Sequence, residues 1–211
     1  MRLPYMQPMV LVEAKAAFDD PDFVFEAKLD GFRAVAYIQG GQCELISRKK
    51  HAYRAFDGLA RELGALIKVQ DAVLDGEIVC PGADGRPVFE DVLYRRGQPY
   101  FYAFDVMWLN GNDLRKQPLM ERKAVLRGIV PSQPARILYV DHVEGRGVDL
   151  YQAACELDLE GVVAKWKEGE YAGGGDETSW IKVKNPAYSQ GIGRREQFAR
   201  FRRLALRRAA G

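Results

Sequence analysis

The sequence predicts an α+β domain with two mainly antiparallel β-sheets flanked by helices, and three features support this fold class. Segments typical of strands outnumber segments typical of helices. The helical segments interrupt the strands irregularly, which disfavours the regular strand–helix–strand repeat of a doubly wound parallel sheet. Gly40-Gly41 separates two strand-like segments, as expected for an antiparallel hairpin.

The first half of the chain is predicted to consist mainly of strands. Residues 1–20 show no regular pattern, and strands are expected where runs of apolar, aromatic and β-branched residues follow. Apolar residues from Phe56 to Ile67 recur at helical spacing, which predicts a helix over residues 53–67. Residues 81–87 have the Gly, Pro and Asp content of a turn. The strands predicted in this half are 23–28, 32–38, 42–48 and 72–80.

The second half is predicted to mix strands and helices. A long apolar and aromatic segment ends at Asn110-Gly111 and has the character of a central strand. Pro118 suits the start of a helix, because proline is favoured in the first turn. We expect helices over residues 118–130 and 149–157, and strands over residues 100–109, 136–143, 161–166 and 180–184.

Length and composition are those of an ordinary globular protein. The 211 residues suffice for one large domain or two small ones, and 47% are hydrophobic and 28% charged. No apolar run approaches the roughly 20 residues of a membrane-spanning helix, and no signal peptide is recognised, so no membrane partner is expected. The three cysteines are odd in number and form no CxxC pair. This argues against a zinc site or a disulfide framework and favours a reducing cytoplasm.

The positive charge is concentrated near the C-terminus. Residues 194–208 contain seven arginines and one glutamate, whereas the rest of the chain has more acidic than basic residues. A helix with this charge suits a phosphate backbone, although a solvated amphipathic helix has the same pattern. We therefore divide the chain into a folded domain, residues 1–190, and a basic helical tail, residues 191–211. The candidate DNA-binding arginines of the tail are Arg194, Arg195, Arg200, Arg202 and Arg203.

The segment KLDGFR, residues 28–33, places a lysine at the end of one strand and just before another. A lysine held against apolar neighbours loses solvation, which favours its neutral and nucleophilic form. Arg33 can bind a phosphate or a carboxylate with two parallel hydrogen bonds. The alternative is a surface turn with an ion pair between Asp30 and Arg33.

Further charged residues lie in or beside apolar strands. Glu77, in the middle of a strand, needs a cation, a ribose hydroxyl or a metal as partner. Glu160 precedes an apolar strand that Lys165 nearly ends, and Lys182 and Lys184 share one face of another. Each feature alone also fits an edge strand or a solvated face. Together, a candidate nucleophile, two carboxylates and a lysine pair indicate a site for a triphosphate and a divalent metal.

Six segments, in this order, resemble the collinear motifs of the covalent nucleotidyltransferases: KLDGFR, SRKK, LDGEIV, YAFDVMWLNG, EGVVAK and WIKVK. These enzymes are the ATP-dependent DNA ligases, the RNA ligases and the mRNA capping guanylyltransferases. The segment AFDVMWLNGNDLRKQPLMERKAVLRGIV is especially similar to bacterial end-joining DNA ligases. The resemblance covers residues 23–184. It implies the ATP-grasp-like nucleotidyltransferase fold of DNA ligases, with an adenylation domain over residues 1–190.

The resemblance implies a role for each matching residue. Lys28 is the catalytic residue that attacks the α-phosphate of ATP and carries AMP covalently, while Glu26 reads the adenine amino group and Phe104 stacks on the adenine. The implied nucleotide-binding residues are Glu26, Lys28, Arg33, Arg48, Glu77, Phe104, Lys165, Lys182 and Lys184. Glu77 and Glu160 are the implied ligands of Mg²⁺ or Mn²⁺, and Arg48 also contacts the DNA 5′-phosphate.

The implied reaction joins nicked or broken duplex DNA in the bacterial cytoplasm or nucleoid. AMP passes from Lys28 to a 5′-phosphate, and a 3′-hydroxyl then displaces it. An RNA ligase and a capping guanylyltransferase share the KxDGxR segment, and a non-catalytic nucleic-acid-binding module with the same fold is a third alternative. The YAFDVMWLNG segment favours a DNA ligase.

The sequence departs from the DNA ligase pattern after the last motif. DNA ligases continue into an oligonucleotide-binding (OB) barrel, whereas 27 residues follow Lys184 here, too few for a five-stranded barrel. We therefore expect slow or absent self-adenylation with ATP alone and retained sealing of a nick that already carries AMP. A separate OB-fold protein or an end-binding protein is a candidate partner.

Overall fold

Two β-sheets pack against each other in the computed structural model, which describes residues 3–132, 135–173 and 178–191. The strands are β1 (Val12–Glu13), β2 (Asp20–Ala27), β3 (Phe32–Gln39), β4 (Gln42–Ser47), β5 (Asp71–Val79), β6 (Tyr100–Leu109), β7 (Asn112–Asp113), β8 (Ile137–Tyr139), β9 (Val143–Gly145), β10 (Gly161–Trp166) and β11 (Trp180–Lys184). The α-helices are α1 (Asp57–Leu66), α2 (Phe89–Tyr94), α3 (Leu119–Ile129) and α4 (Gly147–Glu156). Within these ranges no helix is both long and apolar enough to cross a membrane.

Both sheets are mainly antiparallel, which confirms the predicted fold class. Sheet 1 has the strand order β1-β11-β10-β2-β9, and sheet 2 has the order β4-β3-β5-β6-β7 with β8 added beside β6. The pairs β1–β11 and β6–β8 are parallel, and the other pairs are antiparallel. The segment 28–31 carries the chain from β2 in sheet 1 to β3 in sheet 2, so KLDGFR lies where the two sheets meet.

Alternation along β3 places sheet 2 between two apolar layers. Ala34, Ala36 and Ile38 belong to a cluster with residues of α1, α2 and α3, while Val35 and Tyr37 pack in a second cluster with residues of sheet 1. This separation follows from the two-residue period of a strand, which directs successive side chains to opposite faces. Helix α4 covers the outer face of sheet 1, where Ala154, Val162 and Val183 form a third cluster.

The glycine in KLDGFR is required by packing between strands. A Cβ atom at Gly31 would lie 2.1 Å from the carbonyl oxygen of Ile78 on β5. No side chain fits at that distance, because real non-bonded carbon–oxygen contacts are longer than 3 Å. Gly31 therefore lets the connection between the sheets pass close to β5, and this fixes the position of Lys28 relative to sheet 2.

Most predicted elements differ from the structure only in where they begin or end, but three segments differ in kind. The strand predicted over residues 136–143 is two strands, β8 in sheet 2 and β9 in sheet 1, because the chain crosses between the sheets near Val140. The helix predicted over residues 53–67 begins with a 3₁₀ turn, Arg54–Phe56, and continues as α1. The supposedly irregular N-terminal segment contributes β1, which exists by pairing with β11.

One helix was not predicted, and one prediction falls outside the described residues. Helix α2 is six residues long, too short for a clear helical period, and is fixed by the burial of Phe89, Val92 and Leu93. The tail from residue 194, which is predicted to be helical and holds five candidate DNA-binding arginines, lies outside the described residues, so the division at residue 190 stays a prediction.

Candidate active site

A cleft of about 270 Å³ opens between the two sheets and collects the predicted site residues. Ten of them line it: Glu26, Lys28, Arg33, Arg48, Glu77, Phe104, Glu160, Lys165, Lys182 and Lys184. They come from strands of both sheets and from the connections at their ends. The chemical roles of the ten side chains stay predictions, but their convergence in one cleft is a structural fact.

Lys28 follows directly after β2 and faces Glu160, which directly precedes β10. The Lys28 backbone N–H donates to the carbonyl of Gly161 at 2.9 Å, and the side-chain amine donates to Glu160 Oε2 at 2.6 Å. The Lys28 side chain is 20% exposed, so it is partly buried yet reachable from the cleft. Glu160 thus holds the amine at the end of sheet 1, and the amine must leave this carboxylate before it can attack anything.

Glu77 projects from β5 into the same cleft, and its side chain has neither a hydrogen bond nor an ion pair within the described ranges. Burial raises the pKa of its carboxyl group to about 8, although nearby Lys28 and Arg33 lower it. Glu77 is partly buried, and a carboxyl group in such a place without a side-chain partner is costly, so Glu77 has the character of a ligand-binding group. A ribose hydroxyl or a cation would satisfy it.

A metal bound here would need oxygen atoms from outside the protein. Among the residues that the structure describes, no group of three or more His, Cys, Asp and Glu side chains is arranged to hold a metal ion. Glu77 and Glu160 provide two carboxylates in the cleft. Mg²⁺ is commonly held by one or two carboxylates together with substrate phosphates and water, so this donor set fits a metal that arrives with a nucleotide.

Arg33 is held by Asp75 and not by Asp30, so the ion pair weighed as an alternative is wrong. The guanidinium donates two hydrogen bonds to Asp75, at 3.1 and 2.6 Å, and Tyr171 donates a third at 2.5 Å. Burial alone would lower the pKa of Arg33, but the adjacent Asp75 raises it. Asp30 instead accepts a hydrogen bond from Tyr188 at 2.8 Å.

Aromatic rings and cations form one wall of the cleft. The Arg33 guanidinium carbon lies 5.4 Å from the ring centroids of both Phe104 and Trp180. The Lys165 amine lies 4.5 and 4.0 Å from the same two centroids. The rings themselves meet edge to face, with centroids 5.7 Å apart. Contacts of cations with ring faces at these distances are attractive, and they orient Phe104 at the edge of the cleft.

Glu26 is bound on both sides by lysines, one of which the sequence analysis missed. Lys123 of α3 donates to Glu26 Oε1 at 2.5 Å, and the Lys165 amine lies 2.7 Å from Glu26 Oε2. Burial opposes ionisation of Glu26, but the two lysines together lower its pKa. The available signal for Lys123 was its place in the ERK portion of the segment that resembles end-joining ligases.

The buried Lys165 should make stability depend on pH. Burial lowers its pKa to about 8 in the folded protein, whereas an unfolded lysine titrates at roughly 10.4. Below pH 8 both states are protonated, and between pH 8 and about 10.4 the unfolded state binds more protons, so the free energy of unfolding rises by about 3 kcal/mol across this window. Chemical denaturation of wild type and of Lys165→Met across this window measures the difference.

The rise in the free energy of unfolding across this pH window should be absent from Lys165→Met. It should be present in the control Lys68→Met, which replaces an exposed lysine outside the cleft. Equal pH dependence of the free energy of unfolding in wild type and Lys165→Met would contradict the assignment.

Lys182 and Lys184 share a carboxylate that the sequence analysis missed. Their amines lie 3.4 and 2.8 Å from Glu13 Oε2 on β1. The hydrogen bond from Lys184 contributes most to lowering the pKa of Glu13. These side chains are a quarter to a half exposed, so the pairing is weak and a phosphate group can compete with Glu13 for both amines.

Arg48 lies at the rim of the cleft, just after β4. It is exposed, and the described part of the chain offers it neither a hydrogen bond nor an ion pair. An exposed arginine at the mouth of a cationic cleft is accessible to an anion from solvent.

The chain is similar to known DNA ligases in both sequence and structure. The sequence model of the family described as "ATP dependent DNA ligase domain" matches residues 8–184. The "SPbeta prophage-derived DNA ligase-like protein LigB" of Bacillus subtilis is 29% identical over 192 residues, which cover 88% of this chain and 70% of the relative. The "Multifunctional non-homologous end joining protein LigD" of Mycolicibacterium smegmatis is 30% identical over 184 residues, 84% of this chain and 23% of the relative.

Among solved structures, the "mycobacterial DNA ligase D complexed with ATP and MES" superposes with a TM-score of 0.73 at 26% sequence identity, covering 85% of this chain and 60% of that one. The ligase domain of M. tuberculosis LigD gives a TM-score of 0.72 at 26% identity, with 85% and 59% coverage. The chain therefore spans less than two thirds of these structures and less than a quarter of the M. smegmatis protein.

Proposed function

The chain belongs to the family of ATP-dependent DNA ligase domains, and from this premise we propose that it is an adenylation domain that carries AMP on Lys28 and delivers it to a 5′-phosphate in nicked or broken duplex DNA. One observation carries the proposal. Lys28, two carboxylates and the pair Lys182 and Lys184 converge on one cleft of nucleotide-binding character. The relative LigD was solved with ATP, which supports ATP as the nucleotide.

In the first step the Lys28 amine attacks the α-phosphorus of ATP. A phosphorus–nitrogen bond forms, and the bond from the α-phosphorus to the pyrophosphate oxygen breaks. The amine must be neutral to attack, so it loses a proton and gives up its hydrogen bond to Glu160. In the second step the AMP phosphorus moves from nitrogen to the DNA 5′-phosphate oxygen, and in the third a 3′-hydroxyl displaces AMP.

Phosphate charge is neutralised by Lys182 and Lys184. Transfer of this type depends mainly on positioning and on electrostatic stabilisation of the phosphate oxygens. In the structure both amines lie near the Glu13 carboxylate, at 3.4 and 2.8 Å. Binding of a phosphate moves both amines from Glu13 to the nucleotide, which keeps them in place for the reaction.

Glu77 and Glu160 are the residues that would hold a divalent metal, Mg²⁺ or Mn²⁺. When bound, such an ion supplies positive charge for the pyrophosphate leaving group. Glu77 has no competing partner within the described ranges, whereas Glu160 becomes free to bind a metal once Lys28 has left it. Glu77 is also placed to accept a hydrogen bond from the ribose.

The nucleobase is held by the aromatic wall of the cleft. Phe104 is half-buried and offers its ring to the adenine, a contact worth roughly 1–3 kcal/mol for bases on aromatic side chains. Glu26 lies deeper and accepts a hydrogen bond from the adenine amino group. Arg33 is fixed by Asp75 and contributes a rigid cation near the sugar and the phosphates.

DNA binding depends on Arg48 and on the basic tail in this proposal. Removing residues 194–211 should weaken binding to nicked duplex DNA and flatten its salt dependence, because each lost phosphate contact removes about 0.9 from the slope of log affinity against log salt. Titrations at several salt concentrations measure this slope. A chain with Arg194, Arg195, Arg200, Arg202 and Arg203 changed to lysine keeps the charge and should keep the slope. An unchanged slope after deletion would reject the role of the tail.

Two assays test the proposal. In the first, the chain is incubated with Mg²⁺ and radiolabelled ATP or GTP, and the label bound to the protein is measured. In the second, the chain is given nicked DNA or nicked RNA that already carries AMP, and sealing is measured. Labelling by ATP over GTP and sealing of DNA over RNA support the DNA ligase assignment. Preference for GTP or for RNA indicates a capping enzyme or an RNA ligase, and binding without either reaction indicates a non-catalytic module. Slow loading with ATP alone, a separate OB-fold or end-binding partner and a location in the bacterial cytoplasm stay predictions.

A further inference from the structure

Lys123 is a buried lysine that has no role in the three proposed reaction steps. It lies on α3, which packs against β6 of sheet 2, yet its amine reaches Glu26 on β2 of sheet 1. It also donates to the carbonyl of Val140 at 3.1 Å, in the segment where the chain crosses between the sheets. The Lys123 side chain is 1% exposed and does not line the cleft. Lys123 therefore lies on the side of Glu26 that faces away from the cleft, where it cannot contact a nucleotide.

Lys123, Glu26 and Lys165 form one charged cluster, in which Glu26 and Lys165 are the members that reach the cleft. Both line the cleft, although the Glu26 side chain is only 3% exposed. The Lys165 amine is at ion-pair distance from Glu26, but its geometry there is not that of a hydrogen bond, and it lacks a hydrogen-bond acceptor among the described residues. The cleft thus presents a buried acceptor, Glu26, beside a buried donor with unused hydrogens, Lys165.

This order of acceptor and donor matches the edge of adenine. Adenine offers an amino group as donor, and guanine offers a carbonyl oxygen at the same place. Beside it, the ring nitrogen N1 accepts a hydrogen bond in adenine and donates one in guanine. An ionised carboxylate can only accept hydrogen bonds. A Glu26 that is kept ionised and fixed in orientation therefore binds an amino group favourably and a carbonyl oxygen unfavourably.

We infer that Lys123 is a positioning residue for base selection: by binding Glu26 from behind, it keeps that carboxylate an oriented acceptor for the amino group of adenine. The inference rests on the proposed function, because it assumes that the cleft binds ATP. Lys165 does not hold Glu26 from behind, since its amine lines the cleft and is itself on the side from which a ligand would approach. Lys123 supplies the directional bond that fixes Glu26.

The test compares ATP with purine riboside triphosphate, which lacks the amino group, in binding to the 211-residue chain without metal. In wild type, ATP should bind about 10-fold or more tightly than the analogue, as expected for a hydrogen bond to a charged group. In Lys123→Met this ratio should fall to about 2-fold or less, because Glu26 loses its orientation. A purely structural role of Lys123 would weaken both ligands equally and leave the ratio unchanged.

The matched control is Arg127→Met on the same helix, where the arginine pairs with Asp141 in solvent and the ratio should stay at its wild-type value. Circular dichroism establishes that each variant is folded. If Lys123→Met does not fold, Lys123→Gln, whose neutral side chain is one bond shorter and loses the charged hydrogen bond to Glu26, should show the same fall. An unchanged ratio in a folded Lys123 variant overturns the inference while ATP binding by wild type still supports the proposed function. Failure of wild type to bind ATP overturns both.

Discussion

Lys28→Ala should lose covalent attachment of AMP by roughly a thousandfold or more, because the nucleophile of the first step is removed. The expected loss is chemical and not structural. Lys28 is partly exposed and its only described side-chain partner is Glu160, so the fold and nucleotide binding should survive. Label is supplied by radiolabelled ATP with Mg²⁺ or, separately, by a nick that carries radiolabelled AMP and ends in a 3′-deoxy sugar. Denaturing electrophoresis then measures the label that remains on the protein from each source.

The control for this variant is Lys68→Ala, which removes an exposed lysine outside the cleft and should label like wild type. Binding of nicked DNA should change little in Lys28→Ala. Undiminished labelling of Lys28→Ala would show that another residue carries AMP. A non-catalytic binding module would give no label in any of the three proteins and equal DNA binding in all.

Arg122→Met should lower the free energy of unfolding by about 3–5 kcal/mol, because it leaves a buried carboxylate without its counter-ion. Arg122 and Asp105 are both fully buried and share two hydrogen bonds, at 2.8 and 2.9 Å. The guanidinium also donates to the carbonyls of Gln117 and Gly169. A loss of this size is a large part of the roughly 5–15 kcal/mol that stabilises a typical domain.

Denaturant unfolding at pH 7 measures this loss, with Arg127→Met on the same helix as the control. Arg127 is 61% exposed and pairs with an exposed Asp141, so its replacement should change stability by less than about 1 kcal/mol. Equal stability of the two variants would mean that the buried pair does not hold α3 against sheet 2.

Elements with a strong and continuous pattern could be predicted from the sequence. The predicted bounds of β6, β10 and β11 are those of the structure, because each segment is rich in apolar, aromatic and β-branched residues and has turn residues or glycine at an end. Elements defined by partners could not be predicted. Strand β1 has two residues and exists through pairing with β11, and the separation of β8 from β9 depends on which sheet edge each reaches.

Some residues of the candidate site could likewise be predicted from the sequence, and others could not. Residues that carry charge within apolar strands, such as Glu77 and Lys28, were recognisable because that placement is costly without a function. Glu13 and Lys123 were not recognised, since each gains its partner only when distant segments meet. The partner of Arg33 was also wrong in the alternative considered, because sequence proximity favoured Asp30 whereas β3 and β5 pair to bring Asp75 beside it.

The location of AMP on the protein tests the central claim most directly. The chain is incubated with ATP and Mg²⁺ and, separately, with a nick that already carries AMP and ends in a 3′-deoxy sugar, from which the amine can take AMP by reversal of the second step. Peptide mass analysis then locates the adduct. We predict AMP on the peptide that contains Lys28, at that residue, in at least one of the two reactions. AMP on a different residue, or no adduct in either reaction on folded protein, would contradict the account.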